Sequence, residues 1–241
     1  MEKTHIEARN KIVVDALRQN RAMIGPVLKF DFSREKFQVF DLTRSNGELL
    51  AIDLNNEKQF INYIFETMAR NQCRVGVGRY DEDRVIYERS GLFANPKEAR
   101  SLHLGIDLWV SAGEPVFAPL PGTVHSFQDN THFGDYGPTI ILAHNIFGVR
   151  FFTLYGHLSR ESLNGLFVGK EIAKGERIAT VGEYAVNGNW PSHLHFEIIT
   201  DMLGKRGDFP GVAKIQERDL YLSLCPDPNL ILGIPGLDHG V

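Results

Sequence analysis

Four of the nine histidines in this chain stand in frames that suit metal chemistry. The first frame is His103-Leu-Gly-Ile-Asp107. Imidazole and carboxylate are both good zinc ligands, at about 2.0–2.2 Å from the ion. On a straight strand, residues four apart would lie roughly 13 Å from each other at ~3.3 Å per residue, too far to share one ion. Gly105 lies between them and gives the backbone the freedom for a sharp bend. Taken alone, this frame is common by chance. The second is His193-Leu-His195-Phe-Glu197. In a strand, residues two apart share a face, so both imidazoles and Glu197 point one way, and Leu194, Phe196 and Ile198 face a buried side. Two imidazoles side by side are costly as core filler. They read as one or two metal ligands, or as a ligand beside a general base; the competing reading is a solvated surface pair. Glu197 is placed either to orient a histidine or to form an ion pair at a rim. The third frame, Tyr155-Gly156-His157-Leu158, closes an apolar strand, where functional groups tend to sit. A lone histidine there is more often structural. His5, His125, His132, His144 and His239 fall in no comparable frame and are read as structural.

The elements that must hold these frames follow from the apolar pattern. Short stretches at Val116–Ala118, Thr123–His125, Thr139–Leu142, Phe151–Tyr155, Arg177–Val181 and Leu194–Ile199 are separated by glycines and prolines. Strands at such spacing, with turn signals between them, point to a β-sandwich or barrel. The stretch Gly113–Val124 is weakly echoed by Val168–Ala179, each a short strand, a glycine turn and another short strand.

Upstream the texture differs. Ile6, Ile12, Val13, Ala16 and Leu17 recur near helical spacing, which predicts a helix over 5–20 ended by Gly25-Pro26. Strands are expected over 27–32 and 37–42, with a turn at Asn46-Gly47 and a return strand Leu49–Leu54. A helix capped by Asn55 or Asn56 should run to about Asn71, followed by a hairpin of 74–80 and 84–89 around Asp81-Glu-Asp83. This gives a small α+β accessory unit over 1–95 with no catalytic spacing, expected to be structural or to bind a protein partner. Asn95-Pro-Lys-Glu98 reads as a linker to a catalytic domain over 96–200. Residues 201–241 form a wrapping extension with a short helix at 215–224. The expected fold class is mainly β with an α+β N-terminal unit.

Composition excludes other classes. The chain has 241 residues, 43% apolar and 23% charged, and a net charge of −4. That is ordinary for a globular protein and lacks the basic excess of a nucleic-acid binder. No apolar run approaches the ~20 residues of a membrane span. The charged start is followed by no apolar core of a signal peptide, so a cytoplasmic location is expected. Cys73 and Cys225 have no CxxC spacing and read as buried small hydrophobes in a reducing compartment.

Together, H-x-x-x-D, then Y-G-H-L some fifty residues on, then H-L-H before an apolar strand, resemble the lysostaphin-type (LytM-like) zinc metallopeptidases. Gly113-x-Pro-Val-x-Ala-Pro-x-x-Gly-x-Val124 and Val168-Gly-x-x-Ile-x-x-Gly-x-x-Ile-Ala-x-Val-Gly182 resemble the hairpin and the later turn-rich segment of that family. The likeness covers about 100–200. Over its whole length the chain also resembles a peptidase-like module fused to class III aminotransferases in larger bacterial proteins. The family resemblance implies an antiparallel β-sandwich with an open groove, of duplicated hybrid motif type. It implies zinc held by His103, Asp107 and His195, with His157 and His193 as catalytic groups beside it. The implied reaction is endopeptidase hydrolysis of peptide bonds by zinc-activated water, on a peptide or muropeptide substrate such as a peptidoglycan cross-link. Gly134-Asp-Tyr136-Gly would form a groove wall or a plain turn. Two other readings compete: a zinc-binding, non-hydrolytic module that regulates or recruits a partner, and a phosphohistidine carrier of the related hybrid-motif fold. The retained ligand set and the H-L-H pair argue against both.

Overall fold

A computed structural model describes residues 3–89 and 99–237. The chain opens with helix α1 (Lys3–Gln19), as its periodicity predicts, which buries Ile6, Val13, Ala16 and Leu17. Strand β1 (Phe37–Phe40) follows, then the one-turn helix α2 (Gly47–Leu50) and helix α3 (Glu57–Arg70). Strands β2 (Val75–Gly78), β3 (Glu82–Asp83), β4 (Leu102–His103), β5 (Ile106–Trp109) and β6 (Pro115–Phe117) come next. They lead into β7 (Gly122–Asn130), β8 (Gly137–Ile146) and β9 (Val149–Gly156), then β10 (Glu171–Ile172), β11 (Arg177–Thr180) and β12 (His193–Ile199). The extension adds β13 (Val212–Ala213), α4 (Arg218–Leu224) and α5 (Asn229–Leu232). The protein is mainly β, as expected, and each of the six apolar stretches after residue 110 is a strand. Among the described residues no helix is long and apolar enough to cross a membrane.

Eight strands form one sheet in the order β1-β2-β5-β12-β9-β8-β7-β10. Its only parallel pair is β1–β2, so the sheet is mixed. The echoed segments pair crosswise: β6 with β11, and β7 with β10. A third small sheet, β13-β4-β3, places His103 between Val212 of the extension and Glu82 of the N-terminal region. The largest core cluster runs from Val13 and Leu17 through Val77 and Leu108 to Leu194 and Phe196.

Three N-terminal expectations are corrected. Residues 27–32 are not a strand. Val27 is tied to β6 by its carbonyl, the chain bends over 27–29, and it turns again at 32–34, where the Asp31 carboxylate accepts from Ser33 N–H. Asn46-Gly47 does not turn a hairpin, and no strand follows. The Asn46 side chain instead accepts from Glu48 and Leu49 N–H and starts α2. The partner of β1 is β2, reached through α3, whose Phe60, Ile64 and Met68 are buried. Nor do 74–80 and 84–89 pair, because both edges of β2 are taken by β1 and β5, and 85–89 form a 3₁₀ turn. The Asn95–Glu98 linker and His239 lie outside the described residues. Of the cysteines, both free, Cys225 is buried but Cys73 is only half-buried.

Candidate active site

Strand register brings two of the three frames together. On β12, His195 lies opposite Asp107 of β5 on one side and Gly156 of β9 on the other; His193 lies opposite Trp109. His157 follows directly after β9, in a left-handed conformation with φ of 63°. Its N–H is held by the Tyr136 carbonyl at 2.8 Å, which aims the ring back over β12. The first frame, His103 to Asp107, closes by a bend. β4 and β5 belong to different sheets, and the chain turns sharply between them at Leu104-Gly105. A Cβ at Gly105 would stand 2.5 Å from His195 Cε1 and 2.8 Å from the Phe196 carbonyl. Gly105 has no left-handed φ, so glycine is needed here for space rather than for backbone freedom.

The result is a compact triangle. His103 Nε2 lies 3.0 Å from His195 Nδ1 and 3.2 Å from Asp107 Oδ1, and His195 Nδ1 is 3.1 Å from Asp107 Oδ1. Among the described residues these three form a group able to hold a metal ion. Zinc binds such nitrogens and oxygens tetrahedrally at about 2.0–2.2 Å, which spaces neighbouring ligand atoms roughly 3.3 Å apart. The triangle fits that requirement. All three residues are buried.

Hydrogen bonds assign the ring protons. Carbonyl oxygens only accept. His103 Nδ1 is 2.8 Å from the Arg79 carbonyl, so it carries the proton and leaves Nε2 bare. His195 Nε2 lies 3.4 Å from Glu197 Oε2, which holds a proton there, so Nδ1 is the nitrogen that faces the triangle and is freed for an ion when the ring gives up its second proton. His157 Nδ1 and His193 Nδ1 donate to the Asn187 and Pro191 carbonyls, both at 2.7 Å. Their Nε2 atoms are bare as well, and the two rings lie 4.1 Å apart, beside the triangle. His193 Nε2 stands 3.7 Å from Asp107 Oδ1, outside the ligand spacing.

Burial sets the electrostatics. It pushes His103 down to about 3 and His193 down to about 4, against the pull of Asp107. Burial, reinforced by His193 and His195, holds His157 well below its usual value. All three rings are neutral at pH 7. His195 also pays the cost of burial, but its hydrogen bonds to Asp107 and Glu197 outweigh it and raise the ring to about 8. Burial would raise Asp107, yet His103 and Arg84 hold it well below the carboxylate range. Burial raises the Glu197 carboxyl.

A cavity of about 230 Å³ opens on this group. His157, His193 and His195 line it, with Trp109, Trp190 and Tyr136 as aromatic walls. Tyr136 is packed over the site, its ring 5.1 Å from that of His195 and 5.6 Å from that of His157. Of the other histidines, His144 is buried on β8, His125 is half-buried, and His5 and His132 are exposed. Sequence reasoning missed Arg84, which is buried and bonded to Asp107 Oδ2. Its only sequence signal is a lone arginine after an acidic run, which is the pattern of any solvated turn.

Residues 101–206 match the family model described as Peptidase family M23. This match spans under half of the chain. The chain is 37% identical over 95 residues to an uncharacterized metalloprotease of Haemophilus influenzae, a match covering 39% of this chain and 18% of that protein. The chain thus spans under a fifth of the length of that curated relative. Among solved structures, similar chains include a zinc-containing peptidase from Vibrio cholerae, 26% identical, covering 43% of this chain and 29% of that one with a TM-score of 0.34. The catalytic domain of lysostaphin, the antimicrobial peptidase of Staphylococcus simulans, is 25% identical over 55% of this chain and 80% of that one, with a TM-score of 0.39. The three histidine frames all fall within the M23 segment.

Proposed function

We propose that the chain is a zinc-dependent metalloendopeptidase that hydrolyses peptide bonds, with peptidoglycan-type cross-links as its substrate class. His103 Nε2, Asp107 Oδ1 and His195 Nδ1 hold the ion, and three protein ligands leave a position free for the reaction. When bound, zinc supplies Lewis-acid polarisation of a carbonyl and acidifies water. The rest falls to the side chains. His157 and His193 keep their Nδ1 protons on backbone carbonyls, so their Nε2 lone pairs accept the proton released when water attacks. Once protonated, the same Nε2–H groups stabilise the charge growing on the carbonyl oxygen and return a proton to the departing amine. Glu197 holds the proton on His195 Nε2 and fixes that ring's orientation.

One observation carries this reading: three ligand atoms within 3.2 Å of one another lie beside two neutral imidazoles with bare Nε2 atoms. A non-hydrolytic module or a phosphohistidine carrier has no need of both. The test is mass spectrometry of short peptides, including oligoglycine and muropeptide stems, after incubation with zinc-loaded protein. New amine and carboxyl ends that disappear with a chelator and return with zinc support the reading. A zinc-loaded protein that leaves every peptide intact contradicts it.

A further inference from the structure

The N-terminal region reaches the triangle by two routes that its sequence does not announce. The Arg79 carbonyl accepts from His103 Nδ1 at 2.8 Å. The Arg84 guanidinium, 1% exposed, donates from Nη1 to Asp107 Oδ2 at 2.5 Å. Its Nε donates to Glu82 Oε2 at 2.9 Å, its Nη2 to the Arg79 carbonyl at 2.9 Å, and Nη1 also lies 3.3 Å from the Tyr87 hydroxyl. All three guanidinium nitrogens are thus engaged, and the fork has no freedom to turn. Space is reserved for it: Gly78, paired with Asp107 across β2–β5, would as alanine put a Cβ 2.7 Å from Arg84 Nη2.

This division of oxygens has a consequence for Asp107. Oδ1 faces the histidines and Oδ2 faces Arg84. A carboxylate with no partner on Oδ2 can swing about its Cβ–Cγ bond and offer either oxygen or both. Bonded as it is, Asp107 presents Oδ1 alone. A guanidinium is suited to this because its planar fork fixes direction, which an ammonium cannot.

We propose that Arg84 is a positioning residue of the metal centre: supplied by the N-terminal region, it locks Asp107 so that only Oδ1 faces the ion. This rests on the ligand set proposed above. The N-terminal region then belongs to the site, and the M23 segment, which begins after residue 100, lacks this part of it.

The experiment uses full-length Arg84→Lys and Arg84→Gln proteins. Zinc affinity is measured by competition with a chromophoric chelator, and the visible spectrum of the cobalt-loaded forms is recorded. Circular dichroism and melting of the metal-free proteins check the fold. Loss of a group that orients a ligand typically weakens metal binding about 10–100-fold. The expected result is a loss in that range for Arg84→Gln. The lysine variant, which keeps the charge but not the fork, should lose affinity too and show an altered cobalt spectrum. Folded variants with parental zinc affinity and an unchanged cobalt spectrum overturn the proposal, as does unfolding of both, which makes Arg84 a residue of the fold alone. Should the parent itself bind no zinc, the ligand set fails, and that outcome is distinct from either.

Discussion

Two buried histidines in the large sheet, His193 on β12 and His144 on β8, look alike by burial and charge. Both donate from Nδ1 to the carbonyl of a nearby proline, Pro191 at 2.7 Å and Pro121 at 2.9 Å. Burial pushes both down to about 4. The difference lies at the second nitrogen. His144 Nε2 is 2.8 Å from Thr153 Oγ1, which lies 3.0 Å from the Tyr155 hydroxyl, and the ring stacks on Phe151. That chain is neutral and closed. His193 Nε2 faces Asp107 Oδ1 at 3.7 Å and lines the cavity. A depressed pKa therefore marks burial and not function. What marks the site is a bare nitrogen beside a carboxylate, a cleft and three further histidines.

The strongest way to break this contrast is to delete the bare nitrogens. His157→Ala and His193→Ala are expected to fold, to keep their zinc, and to slow turnover on any identified substrate by about 10²–10⁴, the usual loss for a positioned acid–base group. Steady-state rates with parallel metal analysis check this. Zinc loss in either variant would turn that histidine into a ligand.

A smaller effect is expected at Glu197. Its Oε2 is 3.4 Å from His195 Nε2, and its Oε1 is buried without a hydrogen-bond partner. Glu197→Gln keeps the shape but removes the charge that holds the imidazole proton. Zinc affinity should fall about 10-fold, toward the lower end for residues that orient a ligand. Chelator competition measures it, and parental affinity would assign Glu197 to packing.

At His144 the effect should be on stability only. Its folded pKa, about 4, lies below the ~6.5 of an unfolded chain. Between those values the unfolded state binds a proton that the folded state does not, so stability falls as pH falls. The contribution is at most about 1.4 kcal/mol per pH unit within that window. It vanishes above ~6.5, where both states are neutral. Urea unfolding of metal-free His144→Gln should show a shallower pH dependence by about one proton, with zinc affinity unchanged. An unchanged slope would mean that His144 titrates normally.

The same contrast shows what could be read from residues alone. The site frames were legible because each ligand type recurs at a strand period or across a glycine, and β12 buries Leu194, Phe196 and Ile198 on its other side as alternation requires. The strands β6 to β9, β11 and β12 were legible because apolar runs between glycines and prolines have few other solutions. In the N-terminal half α1, β1, α3 and β2 were legible one by one, but their pairing and turns were not. Asparagine starts helices as readily as it turns hairpins, and Asn46 does the former. The partner of β1 lies beyond a whole helix, so no local pattern reveals it. Arg84 was invisible for a related reason: its meaning depends on Asp107, 23 residues on and across a strand pair, and nothing in Asp81-Glu-Asp-Arg84 sets it apart from an exposed turn.

The central claim is that His103, Asp107 and His195 hold one zinc, while His157 and His193 stand beside it. The most direct test is elemental analysis of the purified full-length protein and of two single variants of β12, His195→Ala and His193→Ala, each dialysed against the same zinc buffer. The account predicts about one zinc per chain in the parent and in His193→Ala, and almost none in His195→Ala. Zinc retained by His195→Ala and lost from His193→Ala would mean that the two strand histidines have exchanged roles, and it would contradict the account.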